Sequence, residues 1–395
     1  MAVWRTLPIG DFCEIVSGAT PSTTVQEYWD GDVPWVTPKD LSDLVGKRIH
    51  KTGREITKAG LASCSAALLP AGAVLLSSRA PIGHVAIAAV AMATNQGFKS
   101  LVPRSDTAEP TYLYWWLKAH RSHLESLGNG ATFKEISKAT VARVEVPLPP
   151  LAEQRRIADI LDRADAMRAK RREAIALLDS LTQAVFVDMF GAPDGGSING
   201  ATATIDDVSE VITGYPFRSH EYVEDDDAVR LCRGANVLPD RFDWSDLARW
   251  PGEKLQGLSQ FLLRPGDIVL AMDRPWISEG FKVARVRDDH CPALLVQRVA
   301  RLRFETRAIG DFVFHLLKQP AFARHCRPTE TTIPHISPIE LRSFRFSLPP
   351  SDALEQYSAR TQTVEQMKAA HYESLAEMDA LFASLQHRAF SGQLA

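Results

Sequence analysis

At 395 residues, with 45% hydrophobic content and a formal charge of −3, the chain can bury more than one core and lacks the general basic field that usually grips a phosphate backbone. No apolar run reaches the roughly 18 residues of a membrane span. The five cysteines, Cys13, Cys64, Cys232, Cys291 and Cys326, are scattered and never spaced Cys-x-x-Cys, which argues against disulfides or structural zinc.

The start, Met1-Ala2-Val3-Trp4-Arg5, has no basic region followed by an apolar signal core, so a cytoplasmic protein is expected. Through residue 150, short β-branched runs alternate with Gly, Pro, Ser and Asp clusters, the pattern of an α+β domain. The clearest predicted strands are Val33–Val36, Ala73–Leu76, Val85–Val90 and Val144–Val146, with a helix over 111–127. Trp115-Trp116 on that helix reads as packing rather than as a base-stacking platform. A long helix follows over about 152–190, its apolar stripe running through Ile157, Ile160, Leu161, Ala164, Met167, Ile175, Leu178, Leu181 and Val185. So narrow a stripe favours a coiled-coil partner over burial in a large core. Gly191 and Pro193 stop the helix, and a Gly-, Ser- and Asn-rich linker is expected over 192–203.

The chain then begins again. Ile9 to Gly18 is echoed by Ile205 to Gly214, and Leu69 to Leu75 by Leu263 to Val269. A second α+β region over 204–350 contains a predicted helix at 309–324, and Asp225-Asp226-Asp227 within it reads as an acidic turn rather than a metal site. A second long helix over 351–392 carries Val364, Met367, Met378, Leu381 and Leu385, each 200 residues from its counterpart Ala164, Met167, Leu178, Leu181 or Val185. Asp352-x-x-Glu355 offers it a capping box, and Gly392 a stop. The expected architecture is therefore two tandem α+β domains of mixed helix and strand, 1–150 and 204–350, separated by helices 151–191 and 351–392 in an antiparallel coiled coil with an internal pseudo-twofold.

Pro147-Leu148-Pro149-Pro150-Leu151-Ala152-Glu153-Gln154-Arg155-Arg156-Ile157, opening a long helix behind an α+β domain and echoed by Ser347-Leu348-Pro349-Pro350, resembles the specificity subunit of type I restriction-modification systems. The second copy departs from it, since Ser351, Ala353 and Leu354 stand where Leu151, Glu153 and Gln154 would be repeated. The resemblance implies two target recognition domains, each reading one half of a bipartite double-stranded DNA site, and a helical spacer between them. It also implies a chain without catalysis of its own, docked to two modification (methyltransferase) subunits and to restriction (translocase/endonuclease) subunits. S-adenosylmethionine, ATP and Mg would then belong to those partners, with no cofactor or metal held by this chain. The loops Ser17–Ser22, Trp35–Leu41, Ser77–Gly83, Asn95–Lys99 and Gly128–Ser137 resemble the segment order of a recognition domain.

Base edges are read by Arg or Lys on guanine, Asn or Gln on adenine and Asp or Glu on cytosine, while phosphates need Lys, Arg, Ser, Thr and backbone amides. On that chemistry the DNA-contact candidates are Lys39, Arg79, Asn95, Lys99, Thr132 and Lys134 in the first domain. In the second they are Arg218, Arg233, Asn236, Arg274, Arg298, Thr331 and His335. Arg79 and Arg274 stand out because each lies beside a proline, Pro81 or Pro275, in loops that read as equivalent. The basic run Arg155, Arg156, Arg163, Arg168, Lys170, Arg171 and Arg172 is interleaved with Glu153, Asp159, Asp162, Asp165 and Glu173. It reads equally as a solvated helix face, a phosphate contact or a docking surface.

Motifs that would mark an enzyme are missing from the sequence: no Gly-x-x-x-x-Gly-Lys-Ser/Thr, no Gly-x-Gly-x-x-Gly, no His-Glu-x-x-His, and no Asn- or Asp-Pro-Pro-aromatic tetrad. Thirty-nine helical residues at about 1.5 Å each span about 58 Å, or roughly 17 base pairs, which would bound a bipartite site. Two rival readings remain at this level, a coiled-coil scaffold or adaptor without a DNA role and a self-contained nuclease or methyltransferase.

Overall fold

The structure, a computed structural model, describes residues 4–79, 81–130, 134–191, 200–326 and 334–394. Most of the expected linker 192–203 lies outside the described residues. Two compact units emerge, residues 1–172 with 373–395, and residues 173–372. The division falls inside the long helices, so each unit owns one end of each helix.

The first unit is built on two sheets. One has the order Cys13–Ser17, Lys99–Pro103, Val74–Ser78, Ile82–Ala88, Arg48–Ile49, and the other Glu55–Ile56, Trp29–Val36, Ala93–Thr94. Strand Val74–Ser78 is buried along its whole length because sheet neighbours and apolar clusters cover both faces. A further ribbon pairs Arg5–Pro8 with Glu145–Leu148 and closes the domain immediately before the long helix. The helix expected over 111–127 forms as two, Pro110–Ala119 and Arg121–Ser126. The ladder breaks at His120, whose φ of −103° and ψ of 24° are not helical. Its ring nitrogen Nδ1 lies 2.8 Å from the Trp116 carbonyl. Trp115 and Trp116 are both buried in the core, as packing residues.

The second unit repeats this plan. Glu210–Thr213, Val299–Arg303, Ile268–Ala271 and Val283–Arg285 form the first sheet in the same order, and Arg249–Trp250, Val229–Cys232 and Ala293–Leu295 the second. In both small sheets one neighbour of the central strand is antiparallel and the other parallel. The expected helix 309–324 again divides, into Arg307–Leu316 and Pro320–His325, because Pro320 has no N–H for the ladder and sets the preceding Gln319 into an extended conformation. Ser137 and Ser337, 200 residues apart, each cap a short helix by accepting from the amide three residues on. At the acidic turn, the Asp227 amide donates to Asp225 Oδ1 at 3.0 Å.

The long helices run Leu151–Phe190 and Ser351–Phe390 and pack against one another within each unit. Left-handed glycines follow both, Gly191 at φ 82° and Gly392 at φ 73°. The buried seam differs from the predicted stripe. Met167, Leu181, Met367 and Leu381 are exposed, whereas Gln154, Thr182 and Phe186, outside the predicted stripe, are buried on the first helix, and Leu354, Tyr357, Thr361 and Phe382 on the second. Ile157, Leu161, Ile175, Leu178 and Val364 are buried as expected, while Ala164, Val185, Met378 and Leu385 are half-buried. The physical reason is the period. Gln154, Leu161, Arg168, Ile175 and Thr182 recur every seven residues, and a strict heptad keeps a seam in place while a reading by nearest apolar neighbour drifts around the helix. In the first unit Ile157, Leu161, Phe382 and Ala389 complete the globular core. In the second, Phe186, Phe190, Leu354 and Tyr357 do so. The helices are thus extensions of the domain cores as well as partners of each other.

Candidate nucleic-acid interface

In the first unit the turn around Gly97 gathers five separate segments. The Ser78 amide donates to the Gly97 carbonyl at 2.7 Å, the Ile136 amide to the Ser78 carbonyl at 2.9 Å and the Asn95 amide to the Val36 carbonyl at 2.9 Å. Gly18 closes the cluster from the side. A Cβ there would stand 2.0 Å from the Asn95 carbonyl oxygen, so only glycine fits. Arg79 and Glu135 face each other across an isolated antiparallel bridge. Glu135 is the centre of the charges. Its Oε1 accepts from Lys99 Nζ at 3.1 Å and its Oε2 lies 3.8 Å from Arg79 Nη1. Lys99 is buried, so its ammonium is held for Glu135, while Arg79 is 36% exposed and presents part of its guanidinium outward. Asn95 is half-buried and its Oδ1 accepts from the Gly97 amide at 2.8 Å. Lys39, in the short helix Pro38–Ser42, and Lys134 are exposed. Thr132 lies outside the described residues.

The second unit builds the same bridge with an acid where the first has its arginine. Met272 donates its amide to the Arg298 carbonyl at 2.9 Å and Ile336 to the Met272 carbonyl at 2.8 Å, which places Arg298 where the first unit has Gly97. The bridge pair is then Asp273 and His335, occupying the positions of Arg79 and Glu135. Asp273 Oδ2 accepts from Arg298 Nη1 at 2.6 Å, and Oδ1 lies 2.7 Å from His335 Nδ1. Partial burial raises the Asp273 carboxyl pKa, but the hydrogen bonds from Arg298 and His335 outweigh it and hold the pKa below the usual carboxylate range. The same contact holds Arg298 more firmly protonated.

The structural equivalent of Arg79 is thus Asp273, and the expected match with Arg274 is off by one residue. The proline beside each arginine was a misleading marker, because backbone pairing sets equivalence. Arg274 itself is exposed, its amide bonded to the Pro334 carbonyl at 2.8 Å. Arg218 is exposed at the start of the turn Ser219–Glu221. Arg233 lies 3.0 Å from Asp246 Oδ2. Asn236 does not face out. It is 1% exposed, its Oδ1 accepts from the Arg233 amide at 3.1 Å, and its Nδ2 donates to the carbonyls of Asp243 and Asp246, each at 2.9 Å. Burial with both ends of the amide engaged makes it a loop brace, which corrects its place among base-reading candidates. Thr331 lies outside the described residues. Sequence reasoning missed Glu135 and Asp273, the carboxylates that hold the basic groups. Their adjacency to Lys134 and Arg274 was visible, but the partners come from loops distant in sequence.

Among the described residues no group of three or more His, Cys, Asp or Glu is arranged to hold a metal ion, and no helix is long and apolar enough to cross a membrane.

Residues 1–177 match the family described as the type I restriction modification DNA specificity domain. The chain is 38% identical over 189 residues to the type I restriction enzyme MjaIX specificity subunit of Methanocaldococcus jannaschii, covering 47% of this chain and 44% of that protein. It is 25% identical over 380 residues to the MjaVIII specificity subunit of the same organism, covering 92% and 86%. The crystal structure of a type I restriction-modification S subunit from M. genitalium shares the fold, with a TM-score of 0.57 at 12% identity over 98% of this chain and 96% of that one. So does a chain solved in work on assembly and conformational transition of the type I R-M system, with a TM-score of 0.56 at 20% identity over 100% and 99%. Residues 1–177 are thus similar to a type I restriction modification DNA specificity domain, and the duplicated two-sheet plan with its paired 40-residue helices is the fold of the solved M. genitalium S subunit.

Proposed function

We propose that this chain selects where a type I restriction-modification complex acts on double-stranded DNA. Each unit reads one half of a bipartite site through the loop cluster around Glu135 or Asp273, and the two long helices set the gap. Catalysis rests with two modification subunits and with restriction subunits, which bring S-adenosylmethionine, ATP and Mg, and the assembly works in the cytoplasm. The single observation that carries this reading is that one scaffold is built twice with unlike side chains at the matched bridge, Arg79–Glu135 in one unit and Asp273–His335 in the other. A duplicated scaffold with unlike reading loops suits a target whose halves differ. Joining two readers on a stiff spacer makes the second contact effectively intramolecular, which offsets the absence of a general basic field.

The test is co-expression with the modification subunits in a host free of other adenine methylation, followed by long-read mapping of methylated adenines. A bipartite consensus is expected. One heptad inserted after Arg172 and another after Tyr372 lengthens the helices by about 10 Å, so the preferred gap should grow by about 3 base pairs with both halves unchanged. Methylation at sites without a bipartite consensus, or a gap indifferent to the insertions, would defeat the reading.

A further inference from the structure

Among the described residues only four other than glycine have a positive φ, and two of them border Asp273: Arg274 at φ 44° and Arg298 at φ 63°. The left-handed region is costly for a residue with a long side chain, and Arg298 stands where the first unit uses Gly97. A glycine would relieve the backbone there. The arginine is nevertheless 66% exposed, with its guanidinium fixed by a carboxylate that is only 28% exposed. A strained backbone, an outward-facing fork and a braced far side are what a pre-aimed hydrogen-bond donor requires, and they offer nothing to the core. The first unit reaches the same end from the other side of the bridge, with Arg79 braced by Glu135.

On the reading of this chain as a bipartite DNA reader, we infer that Arg298 reads a guanine through its O6 and N7 edge in the half-site of the second unit, with Asp273 as its positioning residue. A guanidinium matches those two acceptors with two parallel N–H donors, and no other base offers that pair in the major groove. Asp273 limits the rotamers of Arg298, so less freedom is lost when the base is engaged. His335, on the other oxygen of the same carboxylate, holds Asp273 in place.

The experiment is the methylome of the full complex carrying Arg298→Gly, Asp273→Asn or Asp273→Glu, with the melting temperature of each purified chain measured alongside. Arg298→Gly should relax a single G·C position in one half-site by about 10- to 100-fold, leave the other half untouched and melt at the same or a higher temperature. Asp273→Asn should relax the same position, and Asp273→Glu should restore part of the preference. A purely structural arginine would instead lower the melting temperature and leave the consensus intact, which overturns the inference. Relaxation at an A·T position, or in both halves at once, overturns it equally. A wild-type complex without any bipartite consensus would sink the functional reading itself, and that result is visible before any variant is compared.

Discussion

Arg168 Nε donates to Asp379 Oδ1 at 2.6 Å across the long helices of the first unit. The second unit repeats the contact with the helices exchanged, since Lys368 pairs with Asp179, each 200 residues from its counterpart. Arg168 occupies a heptad position of the seam, also bonds Asp165 at 2.8 Å, and lies over the Phe382 ring at 4.2 Å. The basic run of the first helix is therefore divided in purpose. Arg168 is built into the seam, whereas Arg156 pairs with Glu153 on the same helix.

From this difference, Arg168→Ala should cost about 2 kcal/mol, because it removes charged hydrogen bonds and a cation–π contact at a largely buried position. Lys368→Ala should cost about 1 kcal/mol or less, because it removes an ion pair to a carboxylate that is itself 50% exposed, with neither the second acid nor the ring contact that Arg168 has. Urea unfolding of the two variants measures the difference, and equal losses would refute the assignment of Arg168 to the seam.

The revised seam separates residues that a sequence stripe treats alike. Leu161→Ala should cost about 2–5 kcal/mol and Phe186→Ala about 3–5 kcal/mol, each opening a cavity in a domain core that the helix completes. Leu181→Ala and Leu381→Ala, at exposed positions, should stay within about 0.5 kcal/mol of the parent. Thermal unfolding decides the matter, and a large loss at Leu381 would restore the stripe.

Asn236→Ala leaves the Asp243 carbonyl and the Arg233 amide without their partner, while the Asp246 carbonyl keeps its bond from Arg233 Nη2, at a cost of about 1–3 kcal/mol. DNA preference should be unchanged wherever the protein remains folded. A methylated consensus altered at one base, without loss of stability, would return Asn236 to the reading surface.

His315 is buried in the second unit, with Nδ1 3.0 Å from the Asp311 carbonyl. Burial, with the nearby Lys318 charge, pushes its pKa down to about 3. The unfolded chain therefore takes up a proton below about pH 6.5 that the folded chain refuses until about pH 3. Through that window His315 should remove about 1.4 kcal/mol of stability for each unit of falling pH, and it should have no effect above it. His315→Gln should flatten the acid limb of a urea-midpoint profile, whereas an unchanged slope would show that the ring is protonated in the fold.

Some of this architecture was legible in the order of residues and some was not. The repeat at 200 residues, both long helices and their glycine stops follow from period and punctuation, because these are local rules that any tertiary setting must respect. The break at Pro320 was available on the same grounds, but the break at His120 was not, since no backbone rule forbids a histidine there. Arg79, Lys99 and Arg298 were singled out by residue type as groups capable of the chemistry. Their carboxylate holders were invisible because Lys99 and Glu135, or Asp273 and His335, meet only when loops far apart in sequence are folded together.

The sequence by itself determined duplication, helix length and the set of basic side chains available to the proposed reading, because periodicity, caps and side-chain chemistry are written residue by residue. Tertiary structure alone decided which of those side chains face outward, which acid braces each, and which helix positions form the seam. Those choices depend on strand pairing and on burial by distant segments, so a shift of one residue in register turned the expected partner of Arg79 from Arg274 into Asp273.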